Sequence, residues 1–282
     1  MRRHYAKVCD IEDFADPAFA ERAQALRPDY DMRVQLDRKT WEFTMLSLFF
    51  EEVGLLDERS QVLSVGAGRE AVLFWLAPRV GRMVATDTYG SGKFAGSEAP
   101  ELMLTDPAVF SPYGGELTNL EVLTTDGRAL HAFSDGSLDA VFTLSSIEHF
   151  GSAADIRRAA AEIGRVLRPG GYAFVVTELT LALPPAWRRA VQQAARTLSR
   201  GRLARREVFT REELQRDVIE PTGLELLQPL DTTISPQSFD NLAVRRLRRW
   251  LRTPSGRFHP HIAIKVGGET FTSVGLPLRK PS

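Results

Sequence analysis

Val62-Leu63-Ser64-Val65-Gly66-Ala67-Gly68-Arg69-Glu70 is a short apolar run that stops at a glycine turn, and Ala71-Val72-Leu73-Phe74-Trp75-Leu76-Ala77 follows it as an apolar segment. The pattern predicts a strand that meets a buried helix through Gly-x-Gly. Such a junction leaves backbone amides bare at the helix N-terminus, the partially positive end. Glycine also lets a ligand approach the main chain without meeting a Cβ. On its own this is a tight strand–helix connection as readily as a nucleotide site.

The next segment adds to it. Arg82-Met83-Val84-Ala85-Thr86-Asp87 reads as a second strand ending in an acid, 21 residues past Gly66. In a βαβ unit the end of strand two lies beside the first turn, where a carboxylate can accept from both ribose hydroxyls.

Further strands follow in the same rhythm. Leu120–Thr124 leads into Asp126-Gly127, and Leu138–Ser146 leads into Ile147-Glu148-His149-Phe150. A helix from about Ala153 to Leu167 ends at Arg168-Pro169-Gly170-Gly171, where cations and a Pro-Gly break agree with a helix C-terminus. Tyr172–Glu178 is a fifth strand, Leu224–Leu227 a sixth and His261–Val266 the last. Alternating strands and helices predict an α/β fold, a doubly wound, mostly parallel sheet covered on both faces.

Before this core, Asp16-Pro17 starts a helix to about Leu26, and a second helix runs from about Asp37 to Val53. Trp41, Met45, Leu48 and Phe49 fall on one face of it and read as core, with a lid over the ligand as the other reading. We therefore divide the chain into a helical segment, 1–57, packing on a main domain, 58–282. That domain carries a basic helical insertion at about 184–220 with Arg188, Arg189, Arg196, Arg200, Arg202, Arg205 and Arg206. Leu242–Leu251, with four more arginines, reads as a short helix. Residues 88–118 form a long aromatic-bearing connection in which Tyr89, Phe94, Phe110 and Tyr113 can line a pocket or pin the loop.

The bulk numbers bound the function. The 282 residues are 43% hydrophobic and 26% charged, ordinary for a globular protein. No run approaches the roughly 18 apolar residues of a membrane span, and the N-terminus shows no apolar secretory core. A single cysteine, Cys9, excludes an internal disulfide and fits a reducing cytoplasm. The net charge of zero conceals a split: residues 1–140 carry 14 Lys/Arg against 23 Asp/Glu, and residues 141–282 carry 22 against 13. The arginines lack interleaved aromatics apart from Trp250, so a solvated face is favoured over a nucleic-acid surface. His259 and His261 flank the start of a strand and read as structural rather than as a metal pair.

Together these residues resemble the class I S-adenosylmethionine-dependent methyltransferases over about 60–178. Val62–Gly68 resembles the first motif, Asp87 the acid after strand two, and Asp126-Gly127 the adenine-holding pair. Ser137–Phe142 with Ser146–His149 resembles the fourth-strand motif, and Leu167–Gly171 the turn before strand five. The resemblance implies a Rossmann-like sheet of about seven strands with an antiparallel last strand, and S-adenosyl-L-methionine as cofactor. It implies contacts from Gly66, Ala67 and Gly68 to the methionine moiety, and from Asp87 and Thr88 to the ribose. Asp126 and Gly127 would hold the adenine, and main-chain groups at Leu144 and Ser145 would face the amino-acid part. Two departures stand out. Ser64 occupies a position where many members have an acid, which makes Glu70 a candidate acceptor for the cofactor's ammonium. Arg69-Glu70 also replaces the usual later glycine.

His149 sits just past the fourth strand, where a general base for an in-line transfer belongs; shaping the cofactor pocket is its other reading. The expected activity is methyl transfer, on oxygen, to a small-molecule or glycan acceptor. A nicotinamide-dependent oxidoreductase shares Gly-x-Gly plus an acid, and a non-catalytic cofactor-fold scaffold is the third reading.

Overall fold

In the computed structural model, which describes residues 1–115, 117–183, 187, 207–240, 242–246, 249–251, 261–266 and 268–282, β1 (Gln61–Val65) lies at the middle of the sheet. It pairs in parallel with β2 (Arg82–Asp87) on one side and with β4 (Leu138–Leu144) on the other. β3 (Leu120–Thr124) pairs in parallel outside β2, and β5 (Leu167–Ala182) outside β4. The order β3-β2-β1-β4-β5 reverses direction between β1 and β4. At that reversal the connections leave to opposite faces, so a crevice opens at the carboxyl ends of the two strands.

Beyond β5 the sheet continues with β6 (Glu225–Leu226), β7 (Ala243–Arg246), β8 (Arg249–Leu251), β9 (Ile264–Val266) and β10 (Glu269–Arg279). β10 runs antiparallel to β5 over most of its length, with β6 and β9 against it. The fold is Rossmann-like, mostly parallel in its core, and its last strand is antiparallel. The short β7, β8 and β9 extend that core, so the described sheet counts ten strands. Two expectations are corrected. The last strand is β10, not His261–Val266, which holds β9. Leu242–Leu251 is no helix: β7 and β8 pair antiparallel, and β7 pairs in parallel with β9. A free sheet edge overrides the helical preference of an arginine-rich run. All the named arginines of the expected basic insertion lie outside the described residues, and so does His259.

The two faces of the sheet bury separate clusters. On one, Ala140, Phe142, Leu144 and Phe174 meet α2 (Arg38–Glu52) and α3 (Ala71–Leu76). On the other, Leu63, Val65, Val141 and Val175 meet α4 (Ala153–Val166) and the helical segment starting at Arg211. The alternation follows from the two-residue period of a strand. α1 (Pro17–Leu26) packs on α2.

α2 matters most for the site. Asp37 caps it by accepting from the Thr40 amide at 2.7 Å. Trp41, Met45, Phe49 and Phe50 are fully buried and Leu48 partly so. Phe49 stacks on Phe174 at 5.2 Å and Phe50 meets Phe142 edge-on at 5.9 Å. Each such ring contributes roughly 2–3 kcal/mol by burial. This clamp carries the first turn of α2, with Arg38 and Lys39, to the crevice.

Candidate active site

The first turn is built on constrained backbone. Gly66 and Gly68 take φ of 68° and 52°, which glycine adopts without strain. A Cβ on Gly66 would lie 2.6 Å from Ser146 Cβ. The Gly68 amide donates to Asp87 Oδ2 at 2.9 Å, and Ala67 N donates to the Thr86 carbonyl at 2.9 Å. Tyr89 Oη donates to the Gly68 carbonyl at 2.8 Å. Asp87 therefore ties the end of β2 to the bend after β1, and burial raises its pKa. Its Oδ1 accepts from the Thr88 amide at 2.7 Å.

Asp126 follows β3 and is held by its neighbour. Arg128 donates to both carboxylate oxygens, at 2.6 to 3.0 Å, and this pairing keeps the Asp126 pKa below the usual carboxylate value. The Arg128 amide also donates to Oδ1 at 2.9 Å, so this one neighbour engages most of the carboxylate's roughly four acceptor positions. Gly127 has no room for a side chain: a Cβ would lie 2.6 Å from Phe150 Cε2 and 2.7 Å from Val65 Cγ1.

β4 ends at Leu144, and Ser145 has φ of 51°, the one positive φ among the described non-glycine residues. Ser145 N donates to the Val176 carbonyl at 2.8 Å and its Oγ to Glu42 Oε1 at 2.8 Å. Glu42, buried on α2, also accepts from Ser273 Oγ at 2.6 Å and pairs with Lys39 at 2.8 Å. Lys39 reaches Glu70 Oε1 at 2.7 Å and the Leu144 carbonyl at 3.2 Å. Burial raises the Glu70 pKa to about 7, against the pull of Lys39.

Past β4, a single 3-10 turn (Ile147–His149) presents two groups. Glu148 is buried; Thr177 Oγ1 donates to its Oε2 at 2.8 Å, and its Oε1 has no partner among the described residues. Burial, reinforced by Glu178, raises its pKa to about 8, so it is mostly the neutral acid at pH 7. His149 lies against the Phe94 ring at 4.9 Å and within 3.3 Å of Glu207, whose carboxylate also pairs with Lys93 at 2.6 Å. Burial lowers the His149 pKa, so the imidazole is neutral at pH 7.

These groups line one cleft with two lobes. A lobe of about 350 Å³ holds Asp87, Thr88, Asp126, Gly127 and Phe150. A lobe of about 250 Å³ holds Ala67, Gly68, Glu70, Leu144, Ser145 and Glu178. Gly66, Phe94, Ser146 and His149 line both. All eleven residues singled out from sequence come together here. Of the loop aromatics, Phe94 reaches the cleft and Tyr89 pins the turn. Phe110 lies under Arg69 at 5.5 Å, and Tyr113 donates to the Leu26 carbonyl. Sequence reasoning left Arg38 and Phe150 without a role, and mentioned Glu178 only as a strand end. An acid in the otherwise apolar run of β5 was the available signal for Glu178. Among the described residues, no cluster of His, Cys, Asp and Glu is placed to hold a metal ion, and no helix is long and apolar enough to cross a membrane.

Known proteins resemble this chain in sequence and in fold. The methyltransferase-domain family model matches residues 63–175. The chondramide synthase of Chondromyces crocatus is 29% identical over 221 residues, which make up 77% of this chain and 5% of that protein. The chain thus spans about one twentieth of the length of this relative. Among solved structures, a candidate methyltransferase from Bacillus halodurans C-125 is 17% identical, with 84% of this chain and 99% of that one covered and a TM-score of 0.51. The YcgJ protein of Bacillus subtilis is 16% identical, with 84% and 98% covered and a TM-score of 0.49. At 17% identity the Bacillus halodurans structure speaks to fold alone.

Proposed function

We propose that this chain, a class I S-adenosylmethionine-dependent methyltransferase by its 63–175 domain, methylates an oxygen atom of a small-molecule or glycan acceptor. The cleft fits the cofactor. Gly66 and Gly127 let Ser146, Phe150 and Val65 close on backbone where a Cβ would collide with them, and the acids stand at the ends of β2 and β3. Asp87 with Thr88 takes the ribose, Asp126 and Gly127 the adenine edge, and Phe150 walls the ring. Gly66 to Gly68 run along the methionine chain, and the Leu144 carbonyl, Ser145 and Glu70 receive its ammonium. When bound, S-adenosylmethionine supplies an electrophilic methyl group.

The observation that carries the oxygen reading is His149. It lies where the two lobes meet, and burial keeps its imidazole free of a proton at neutral pH. A hydroxyl must lose its proton as it attacks, and a neutral imidazole within reach accepts it. Positioning against the methyl group supplies much of the remaining acceleration. The likeness to a segment of chondramide synthase supports a small-molecule acceptor. The single cysteine, free and buried, supports a reducing, cytoplasmic setting. Residues 58–282 act as the catalytic domain, with 1–57 as its helical cover.

Labelled-methyl transfer to a panel of hydroxyl compounds, with S-adenosylhomocysteine calorimetry alongside, tests this. Saturable binding and label on oxygen are expected. Absence of binding overturns the cofactor site; label found only on nitrogen or carbon overturns the oxygen reading.

A further inference from the structure

Glu178 lies within β5, on the far flank of the crevice from Asp87. It lines the smaller lobe together with His149 and Phe94. Its Oε1 accepts from Arg38 Nη1 at 2.8 Å, and both side chains are about 16% exposed. Among the described residues no hydrogen bond reaches Glu178 Oε2. Arg38 in turn is braced by Ser273 Oγ at 3.4 Å on β10, and its Nε is buried without a partner among the described residues. Register places Ser273 opposite Glu178, so the pair is backed by paired strands rather than a loop. Burial, reinforced by the neighbouring Glu178 charge, holds the Glu148 carboxyl above its ordinary pKa.

We infer that Glu178 is an acceptor-binding residue and sets the acceptor's chemistry. This deepens the oxygen-methylation reading above and rests on it. A carboxylate only accepts hydrogen bonds. One oxygen is used by Arg38, which holds the side chain in place, and the other is left for a donor on the acceptor. His149 serves the hydroxyl that is methylated, so Glu178 serves a second donor beside it. The acceptor class is a vicinal diol or its close relative, an amino alcohol. A site built to bond a hydroxyl rejects the analogue that lacks it, because the buried group then stays unpaired. The lobe of about 250 Å³ admits only the reacting end of such a molecule beside the methionine chain.

Binding to the complex with S-adenosylhomocysteine tests this without relying on turnover. The probes are catechol against phenol, and methyl glucoside against its monodeoxy counterparts, read by calorimetry and saturation-transfer NMR. The wild-type protein is expected to bind at least one diol tenfold or more tighter than its mono-ol. Glu178→Gln is expected to bring the two within threefold while S-adenosylhomocysteine affinity stays within twofold. Arg38→Met, which frees Glu178 without removing it, is expected to keep part of the preference. If Glu178→Gln and Arg38→Met both lower the melting temperature and leave the diol preference intact, the pair only staples α2 to the sheet and the inference is wrong. Equal binding of diol and mono-ol by wild type, or binding of neither, also overturns it. A Glu178-dependent diol preference without methyl on oxygen keeps the inference and rejects the oxygen reading instead.

Discussion

The ammonium of Lys39 stands 2.7 Å from Glu70 Oε1, joining the first turn of α2 to the residue that precedes α3. The same nitrogen reaches the Leu144 carbonyl and Glu42. Two of the three groups proposed for the cofactor's ammonium, Glu70 and the Leu144 carbonyl, are therefore already bridged by a lysine. Burial opposes the charge on Lys39, but Glu42 and Glu70 outweigh it and raise its pKa above the usual lysine value. Two carboxylates and one ammonium leave room for one more cation.

Cofactor binding should therefore depend on pH through Glu70. Its carboxyl is neutral below about pH 7 and ionised above it, and only the ionised form pairs with a second ammonium. Affinity for S-adenosylhomocysteine is expected to rise between pH 6 and 8 and then level off, with proton release seen by calorimetry in buffers of different ionisation enthalpy. Glu70→Gln is expected to flatten this rise and to weaken binding about tenfold at pH 8, the size of a charged hydrogen bond.

Glu148 should show itself in stability. Its pKa is raised from an unfolded value near 4.5 to about 8, so the native state holds its proton more tightly than the unfolded chain. Its stabilising contribution is complete below about pH 4.5 and is lost as pH rises through 8. The loss by pH 9 is on the order of 5 kcal/mol, because each tenfold difference in proton affinity between the two states is worth about 1.4 kcal/mol. Thermal melts from pH 5 to 9 should find Glu148→Gln more stable than wild type at pH 9, with the difference closing toward pH 5.

The strained Ser145 and its partner Glu42 predict a contrast. Ser145→Gly removes the hydrogen bond to Glu42 but relieves a left-handed φ, so the net change in denaturant melts is expected within about 1 kcal/mol. Ser145→Val has no such relief and is expected to cost about 2 kcal/mol. Glu42→Ala leaves Lys39 and two serines short of a buried acceptor and is expected to cost about 3–5 kcal/mol.

α4 and the segment after Ile219 meet closely at Gly164, where a Cβ would lie 1.8 Å from the Thr222 carbonyl oxygen. Backbone meets backbone there, so neither side yields by changing a rotamer. Gly164→Ala is expected to lose about 2–3 kcal/mol in urea unfolding despite its better helix propensity.

His149 makes the kinetic prediction. Its pKa lies below the usual histidine value, so the acid limb of kcat/KM for a hydroxyl acceptor should fall below about pH 6.5, with a plateau above. His149→Gln is expected to remove that limb and to lower kcat by about 10²- to 10⁴-fold, with S-adenosylhomocysteine affinity nearly unchanged. A wild-type rate in this variant at every pH would remove the residue from proton transfer.

The parallel core was legible because each of its parts announces itself locally. β2 spans Arg82–Asp87 as read, and α4 spans Ala153–Val166, one residue short of the expected end. Strands buried on both faces appear as short apolar runs, and α4 has its Ser152–Asp155 capping box. β10 was missed because Glu269–Arg279 mixes Thr, Ser, Gly and Pro and has no period of its own. It is a strand because β5 and β9 leave a slot of unpaired backbone groups between them. The β7–β8 hairpin was misread for the same reason.

For the site, the residues at strand ends were readable and their connections were not. Gly66, Asp87, Asp126 and His149 follow strands at recognisable spacings, because a parallel sheet sends every such end to one edge. Lys39 with Glu70, Glu42 with Ser145 and Arg38 with Glu178 join residues 31, 103 and 140 positions apart. No local pattern encodes those pairs. The sequence by itself determined which segments are buried strands and helices, since burial selects periodic apolar faces. Only the tertiary structure decided which charges face one another across the cleft, since that follows from sheet order and from where the aromatic stripe of α2 seats its first turn.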